Sequence, residues 1–405
     1  MRNNLVAVCA AVALLHVAPA FAQSEGGPDM ANVKVRLGPL MMNPTISISN
    51  IGIDHNVFND PPDKAPKQDF TVTVTPLSDF WLRLGPTWVT ASMNEEINWY
   101  QKYASERTAN NAYKLGWSVP GSVMSFKVNW AYNNVRERPG FEIDTRVGRK
   151  EVTYSGSADY HALSKTLIGV SGSRERTAFA SEAVYQDTNL EIALNRVSTT
   201  VAVNVRHQLA PLTSLTVSGS RSMDRFEFSP ERDSNSTGAQ ATISFLPGAL
   251  LKGAFTIGYT DFTPVAQDLP GFTGLVGTVG LSAVLLGTTR FGVTGSRGVE
   301  YSYDVNQPYY VRTGINGSIA QQIFGPFDVE VRAGTEILAY RDRDGTAVQV
   351  ANRSDHVNSV GVGVGFHMGK ALRLAFNVDK VNRDSKVDDR QYDNFKFGTA
   401  LTSTF

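Results

Sequence analysis

A chain of 405 residues with 38 basic and 38 acidic side chains has a formal net charge of zero, so it lacks the basic footprint that nucleic acid or an anionic membrane surface selects. Hydrophobic residues make up 42% of it, enough for a large core or for contact with lipid, yet beyond residue 22 no apolar run approaches the ~18 residues that a membrane-crossing helix needs. The single cysteine, Cys9, excludes an internal disulfide framework.

The N-terminal stretch reads as a secretory leader. Arg2 gives a positive start, Leu5 to Val17 is a short apolar core, and Ala20-Phe21-Ala22 supplies a small-x-small cleavage pattern, so residues 1–22 are expected to be a signal peptide. Cys9 lies inside the apolar core behind the bulky Val8, which argues against lipidation. Residues 23–43 are then a periplasmic N-terminal tail or a lead-in to the first strand, and 44–405 a transmembrane β-barrel.

A first strand is predicted over Thr45 to Ile53, and from about Phe70 onward stretches of roughly ten residues alternate apolar with polar, the period of a strand and not of a helix. Val360, Val362, Val364 and Phe366 face one way, with Ser359, Gly361, Gly363 and Gly365 opposite; Leu372, Leu374, Phe376 and Val378 repeat the pattern against Arg373, Ala375, Asn377 and Asp379. The glycines read as making room for a large neighbour or a close strand crossing. Short turns recur at Leu84-Gly85-Pro86, Val119-Pro120-Gly121, Ala162-Leu163-Ser164, Ala210-Pro211-Leu212, Pro247-Gly248-Ala249, Leu286-Gly287-Thr288, Phe324-Gly325-Pro326 and Met368-Gly369-Lys370. Between them lie longer charged connections, among them 136–150, 225–235, 261–271, 340–355 and 381–393. With a last strand over Asn394 to Phe405, the count is about 18 strands, 16 being the alternative, arranged as a transmembrane antiparallel up-and-down β-barrel with short periplasmic turns and long extracellular loops.

A membrane barrel should be polar inside and belted with aromatics outside. The polar parity carries Lys127, Glu151, Asp159, Arg196, Arg206, Arg312, Glu330, Arg332, Glu336, Arg373 and Asp379, which are the candidate lumen-lining residues; their opposite charges could order water and solutes across a pore or satisfy one another. Trp88, Trp117, Tyr160, Phe245 and Phe291 near the short turns, and Trp99, Trp130, Tyr132, Tyr259, Tyr301 and Tyr340 near the long loops, are expected to form two aromatic girdles.

Two sequence features point to a family. The first strand leaves through Ile51-Gly52-Ile53-Asp54-His55-Asn56-Val57-Phe58-Asn59, and this Gly-x-Asp-x-Asn-Val-Phe exit resembles that of the putative β-barrel porin 2 family. The hairpin layout and a final strand introduced by Gln391-Tyr392-Asp393-Asn394 extend the likeness over most of the chain. The resemblance implies an outer-membrane β-barrel, and some members accompany exopolysaccharide production. It supplies no catalytic residues, and Asn56 and Phe58 read as structural. In the last strand Phe395, Phe397, Leu401 and Phe405 share one parity, similar to the signal read by the outer-membrane assembly machinery.

No enzyme chemistry emerges. Gly169-Val170-Ser171-Gly172-Ser173 fails the nucleophile-elbow pattern at its last glycine, and Gly361-Val362-Gly363-Val364-Gly365 lacks the spacing and following helix of a nucleotide site. His55, His161, His207, His356 and His367 have no metal-ligand spacing, and no cofactor is expected. The leading expectation is a porin-like outer-membrane channel for small solutes, with the Asp60 to Pro66 and Arg138-Pro139-Gly140-Phe141-Glu142 loops as candidates to narrow it. The alternatives are an accessory barrel for exopolysaccharide export or surface assembly, which would line its lumen with aromatics, and an outer-membrane hydrolase, which would need a converging Ser and His. Expected partners are outer-membrane lipids, the assembly machinery acting on the strand that ends at Phe405, and polysaccharide or small solutes; nucleic acid is not among them.

Overall fold

A computed structural model describes residues 27–404, apart from 29, 31, 32, 247, 248, 370 and 371. The expected signal peptide, Cys9 and the terminal Phe405 lie outside the described residues.

Antiparallel strands run from Leu40–Asp54 to Tyr392–Thr404, each paired with its sequence neighbours, and the first pairs with the last from Thr45 opposite Thr404 to Asp54 opposite Lys396. The result is a closed barrel of 18 strands; one short extra strand, Val35–Leu37, folds back on Leu40–Met42 outside the ring. Closure satisfies every ladder without leaving an edge, the condition for sheet to stand in hydrocarbon. The expected turns at 85–86, 120–123, 164–165, 211–212, 286–288 and 325–326 join these strands, while those at Pro247-Gly248-Ala249 and Met368-Gly369-Lys370 fall partly outside the described residues.

The first strand begins at Leu40, ahead of Thr45. A proline at 44 has no N–H to give a ladder, which is why a strand reading stops short of it. Pro44 is tolerated because it pairs with Ser78 on one side only, while pairing to the last strand starts at Thr45. Just above, the register slips between Ile48 and Ile51, where Asn50 adopts a left-handed φ of 53° and its amide donates to Thr73 Oγ1 at 3.0 Å.

Burial alternates as the sequence pattern requires. Val360, Val362, Val364 and Phe376 are exposed on the outer face, while Gly361, Gly363, Gly365 and Ala375 between them are buried on the inner face. The glycines do make room: a Cβ on Gly361 would lie 2.0 Å from Asp379 Oδ1, and one on Gly365 would lie 2.6 Å from the Asp328 carboxylate. Trp99, Trp117, Tyr160 and Tyr259 are exposed outward as girdle residues should be. Tyr301 and Tyr340 correct the expectation. Tyr340 is 1% exposed and packs with Tyr310, Leu338 and Val357, and the Tyr301 hydroxyl donates to Asp224 Oδ2 at 2.8 Å with its ring edge-on to Phe226. Both serve a polar and aromatic core under the loops, not the lipid interface.

That core exists because the long connections are folded. Residues 180–195 form a two-strand ribbon, Val184–Tyr185 with Thr188–Asn189, and a short helix, Leu190–Leu194. Asn189 caps the helix by accepting from Glu191 N at 2.9 Å. Leu190 and Leu194 then bury with Ile143, Val147, Phe179 and Tyr303, residues drawn from three separate connections and the strands below them.

Candidate functional site

The inner wall comes first, because its side chains are set by strand parity alone. All eleven sequence-predicted positions sit on the parity opposite the exposed apolar rows. On the wall built by Tyr309–Phe324, Phe327–Arg341, Ser354–Met368 and Leu372–Asp384 they are brought together in pairs. Arg312 Nε donates to Glu336 Oε2 at 2.8 Å, with Asn316 Nδ2 on the other oxygen at 3.1 Å. Arg332 bridges Glu330 at 3.1 Å and Asp379 at 2.9 Å. Arg373 holds Asp328 through Nε at 2.9 Å and Nη2 at 2.5 Å, and His367 Nε2 meets the same carboxylate at 2.6 Å. Asp328 escaped the sequence reading although its even number places it in line with Glu330 and Arg332. Elsewhere the predicted residues stand apart: Glu151 meets Arg149 at 2.6 Å, Arg196 lies over the Tyr301 ring at 5.2 Å, and Lys127, Asp159 and Arg206 belong to other strands of the ring.

The connection between Met124–Glu137 and Val147–Leu163 does what no strand can. These are the fifth and sixth strands of the ring, yet residues 138–146 reach the inner face of the fourteenth to seventeenth, the opposite wall. The Phe141 ring packs on the Tyr310, Leu338, Tyr340 and Val357 cluster and covers the Arg312 guanidinium at 4.6 Å from ring centre. Arg383 Nη1 donates to the Phe141 carbonyl at 2.9 Å and to Asp144 Oδ2 at 3.1 Å, while its Nη2 donates to Asp355 Oδ2 at 2.5 Å. At the near side Arg138 donates to the Val57 carbonyl, and Arg146 binds Glu106 and the Tyr100 hydroxyl. The segment is therefore tied at both ends and crosses the lumen between.

Glu142 is the deepest point of contact. It is 2% exposed, accepts from Ser302 Oγ at 2.6 Å and from the Tyr303 amide at 3.2 Å, and its carbonyl accepts from Arg390. Burial pushes its carboxyl above the ordinary carboxylate value, against the pull of Arg390 and the two hydrogen bonds. Around it, buried arginines bind loop carbonyls: Arg232 donates to Ala193, Ser302 and Asp304, all at 2.8 Å, and Arg390 also donates to the Tyr303 hydroxyl at 3.0 Å. A guanidinium has five donors and no acceptor, which suits irregular backbone that cannot satisfy its own carbonyls. Sequence reasoning named Glu142 within the 138–142 loop but missed the buried arginines around it, since loops have no periodicity to place a residue inside or out.

The strand-exit motif has a structural role as expected. Asn56 is fully buried; its amide donates to Asp60 O at 2.8 Å and Asp393 O at 3.0 Å, and its carbonyl accepts from Asn394 Nδ2 at 3.0 Å. Phe58 meets Tyr103 edge-on at 5.0 Å and Lys67 at 5.2 Å, so it braces the neighbouring loop.

A family model described as putative beta-barrel porin 2 matches residues 28–405. No curated protein matches the chain. Among solved structures, OccK2 (OpdF) of Pseudomonas aeruginosa aligns over 90% of this chain and 98% of its own at 8% identity, with a TM-score of 0.48. A BenF-like porin from Pseudomonas fluorescens Pf-5 aligns over 91% and 100% at 9% identity, TM-score 0.47. The siderophore receptor PirA from Pseudomonas aeruginosa aligns over 92% and 81% at 8% identity, TM-score 0.41.

Proposed function

The chain belongs to the putative beta-barrel porin 2 family, and from that premise we propose that this outer-membrane barrel is a channel for small solutes, narrowed by the crossing segment 138–146. The observation that carries the reading is the docking of Phe141 and Glu142 against the far wall. A connection that only tied off two strands would have no use for a span across the lumen; one that narrows a path must make it. The ionic pairs on the inner wall alternate in sign, so the path favours neither cations nor anions strongly.

The exopolysaccharide reading has less support. Inward aromatics are present, among them Tyr310, Tyr340 and Phe141, but they are packed against one another and against guanidinium groups, which leaves no open faces on which sugars could stack. Export with a cleaved signal peptide, and assembly through the terminal strand, complete the proposal.

In a planar bilayer the purified protein should give small, well-defined openings with a cation-to-anion permeability ratio within about threefold of one. No open current at any voltage, from this protein and from a form lacking the crossing segment, would sink the channel reading. Block by oligosaccharide would favour the polysaccharide alternative.

Acidity should tighten the constriction. Glu142 has a folded value raised above its ordinary 4.5, so its neutral form favours docking; that contribution is fully present below the ordinary value and is lost as pH rises through the raised one. Conductance is therefore expected to be lower near pH 5 than near pH 8, and Glu142→Gln should flatten the dependence. Conductance that increases on acidification, or an unchanged slope in the variant, contradicts the assignment.

A further inference from the structure

The outer wall carries a feature that neither closure nor a channel requires. On Thr166–Phe179 and Thr213–Phe226 the outward parity begins at the turn end with Ile168 and Val170, and with Val217, all about half exposed, and then changes to arginine: Arg174 and Arg176 on one strand, Arg221 and Arg225 on the other. Arg196–Ala210 runs between them. Register places Arg176 and Arg225 either side of Val197, Arg174 beside Thr199 and Arg221 beside Val201. With strands about 4.8 Å apart and alternate residues about 7 Å apart, the four positions fall in a patch about 10 Å wide and about 14 Å tall. Lys150, which faces Ala178 across the next ladder, extends it.

All five cations are exposed. Arg176 meets Glu227 at 3.0 Å, and Arg225 is held by Asp233 at 3.6 Å, the Asp224 and Ser234 carbonyls at 2.8 Å and Asn235 Oδ1 at 2.9 Å, whereas Arg174, Arg221 and Lys150 have no ion pair among the described residues. The patch is thus net positive and local. Across the ring the outer face pairs its charge, Lys380 with Asp393 at 3.5 Å.

Arginine turned toward lipid is costly unless an anion meets it, and the planar guanidinium matches phosphate in a way a solvated ammonium does not. Directly below the patch Val170 and Val203, then Ile168, Val205 and Val217, present exposed apolar side chains. We propose that this patch docks a phosphate-bearing lipid headgroup of the outer leaflet, with Arg174 and Arg221 on the phosphates and the valine rows against the acyl chains. A soluble phosphate would use the first set and leave the second idle, which is why the lipid is the occupant.

The test is native mass spectrometry of the full barrel released from nanodiscs that contain a diphosphorylated glycolipid or the same glycolipid with its phosphates removed. Wild type should retain the phosphorylated form at least about tenfold better. The combined Arg174→Gln and Arg221→Gln variant should lose that preference, the double Lys variant should keep most of it, and Lys380→Gln on the far wall should behave as wild type. Heat-modifiability on a gel confirms that each variant is a folded barrel. Equal retention of the two glycolipids by wild type, an unaltered preference in the Gln variant, or full displacement by millimolar inorganic phosphate would each overturn the proposal.

Discussion

Replacing residues 139–145 with a short glycine-serine linker should raise single-channel conductance several-fold while leaving the barrel folded. The strands on either side, Met124–Glu137 and Val147–Leu163, are paired along their whole length independently of the connection, so the wall does not need it. What the exchange removes is the bar across the lumen: the Phe141 ring on Tyr310 and Tyr340, and the Glu142 carboxyl under Ser302. Solute flux through proteoliposomes should rise in parallel, most for the largest solutes that pass. Conductance equal to that of the intact protein would mean that the segment lies beside the path instead of across it.

Arg383→Met should have the largest effect of any single side chain on the state of the loops. Arg383 is 2% exposed, and its guanidinium joins three pieces of chain: its own strand, Asp355 of Ser354–Met368, and Asp144 with the Phe141 carbonyl of the crossing segment. Methionine fills much the same volume but abandons Asp355, which is fully buried and would keep only Arg353 at 3.2 Å and Ser385 at 2.7 Å. Leaving a buried charge with part of its partners costs about 3–5 kcal/mol, a shift of roughly two to four orders of magnitude in the docking equilibrium. The ladder hydrogen bonds are untouched, so hydrogen exchange should accelerate in 139–146 and 385–391 and stay slow in the strands. Unchanged exchange in both segments would show that the segment is held by its apolar contacts alone.

The wall of this barrel was legible in its sequence, and so was the stretch 138–142 as a candidate to narrow it, but the residues that hold that stretch in place were not, for a physical reason. A strand sorts its side chains with a period of two, so Glu330, Arg332 and Glu336 could be placed inside, and the closing turns at Gly85, Gly325 and Gly369 announced themselves by composition. Tyr340 shows the cost of departing from that rule. It shares the parity of Glu336, and only its nearness to the strand end suggested the lipid interface, where Leu338 and Tyr310 in fact enclose it. Glu142, Arg390 and Arg353 lie in segments without periodicity. Their burial depends on connections far apart in sequence arriving at one place, Glu142 meeting Ser302 across 160 positions, and no local pattern encodes such a meeting.

The Asn56 clasp has a bearing on how the molecule comes into being. Its amide holds the carbonyl of Asp393 across 337 positions, at the seam where first strand and last strand join. Bringing the two ends of so long a chain together carries a large loop-closure entropy, and the reward arrives only when the final ladder zips. Until then the first strand presents bare donors and acceptors along one side. A buried asparagine that can fasten only the correct alignment of the two ends works as a latch on the last event of folding, discriminating against closure in a slipped register.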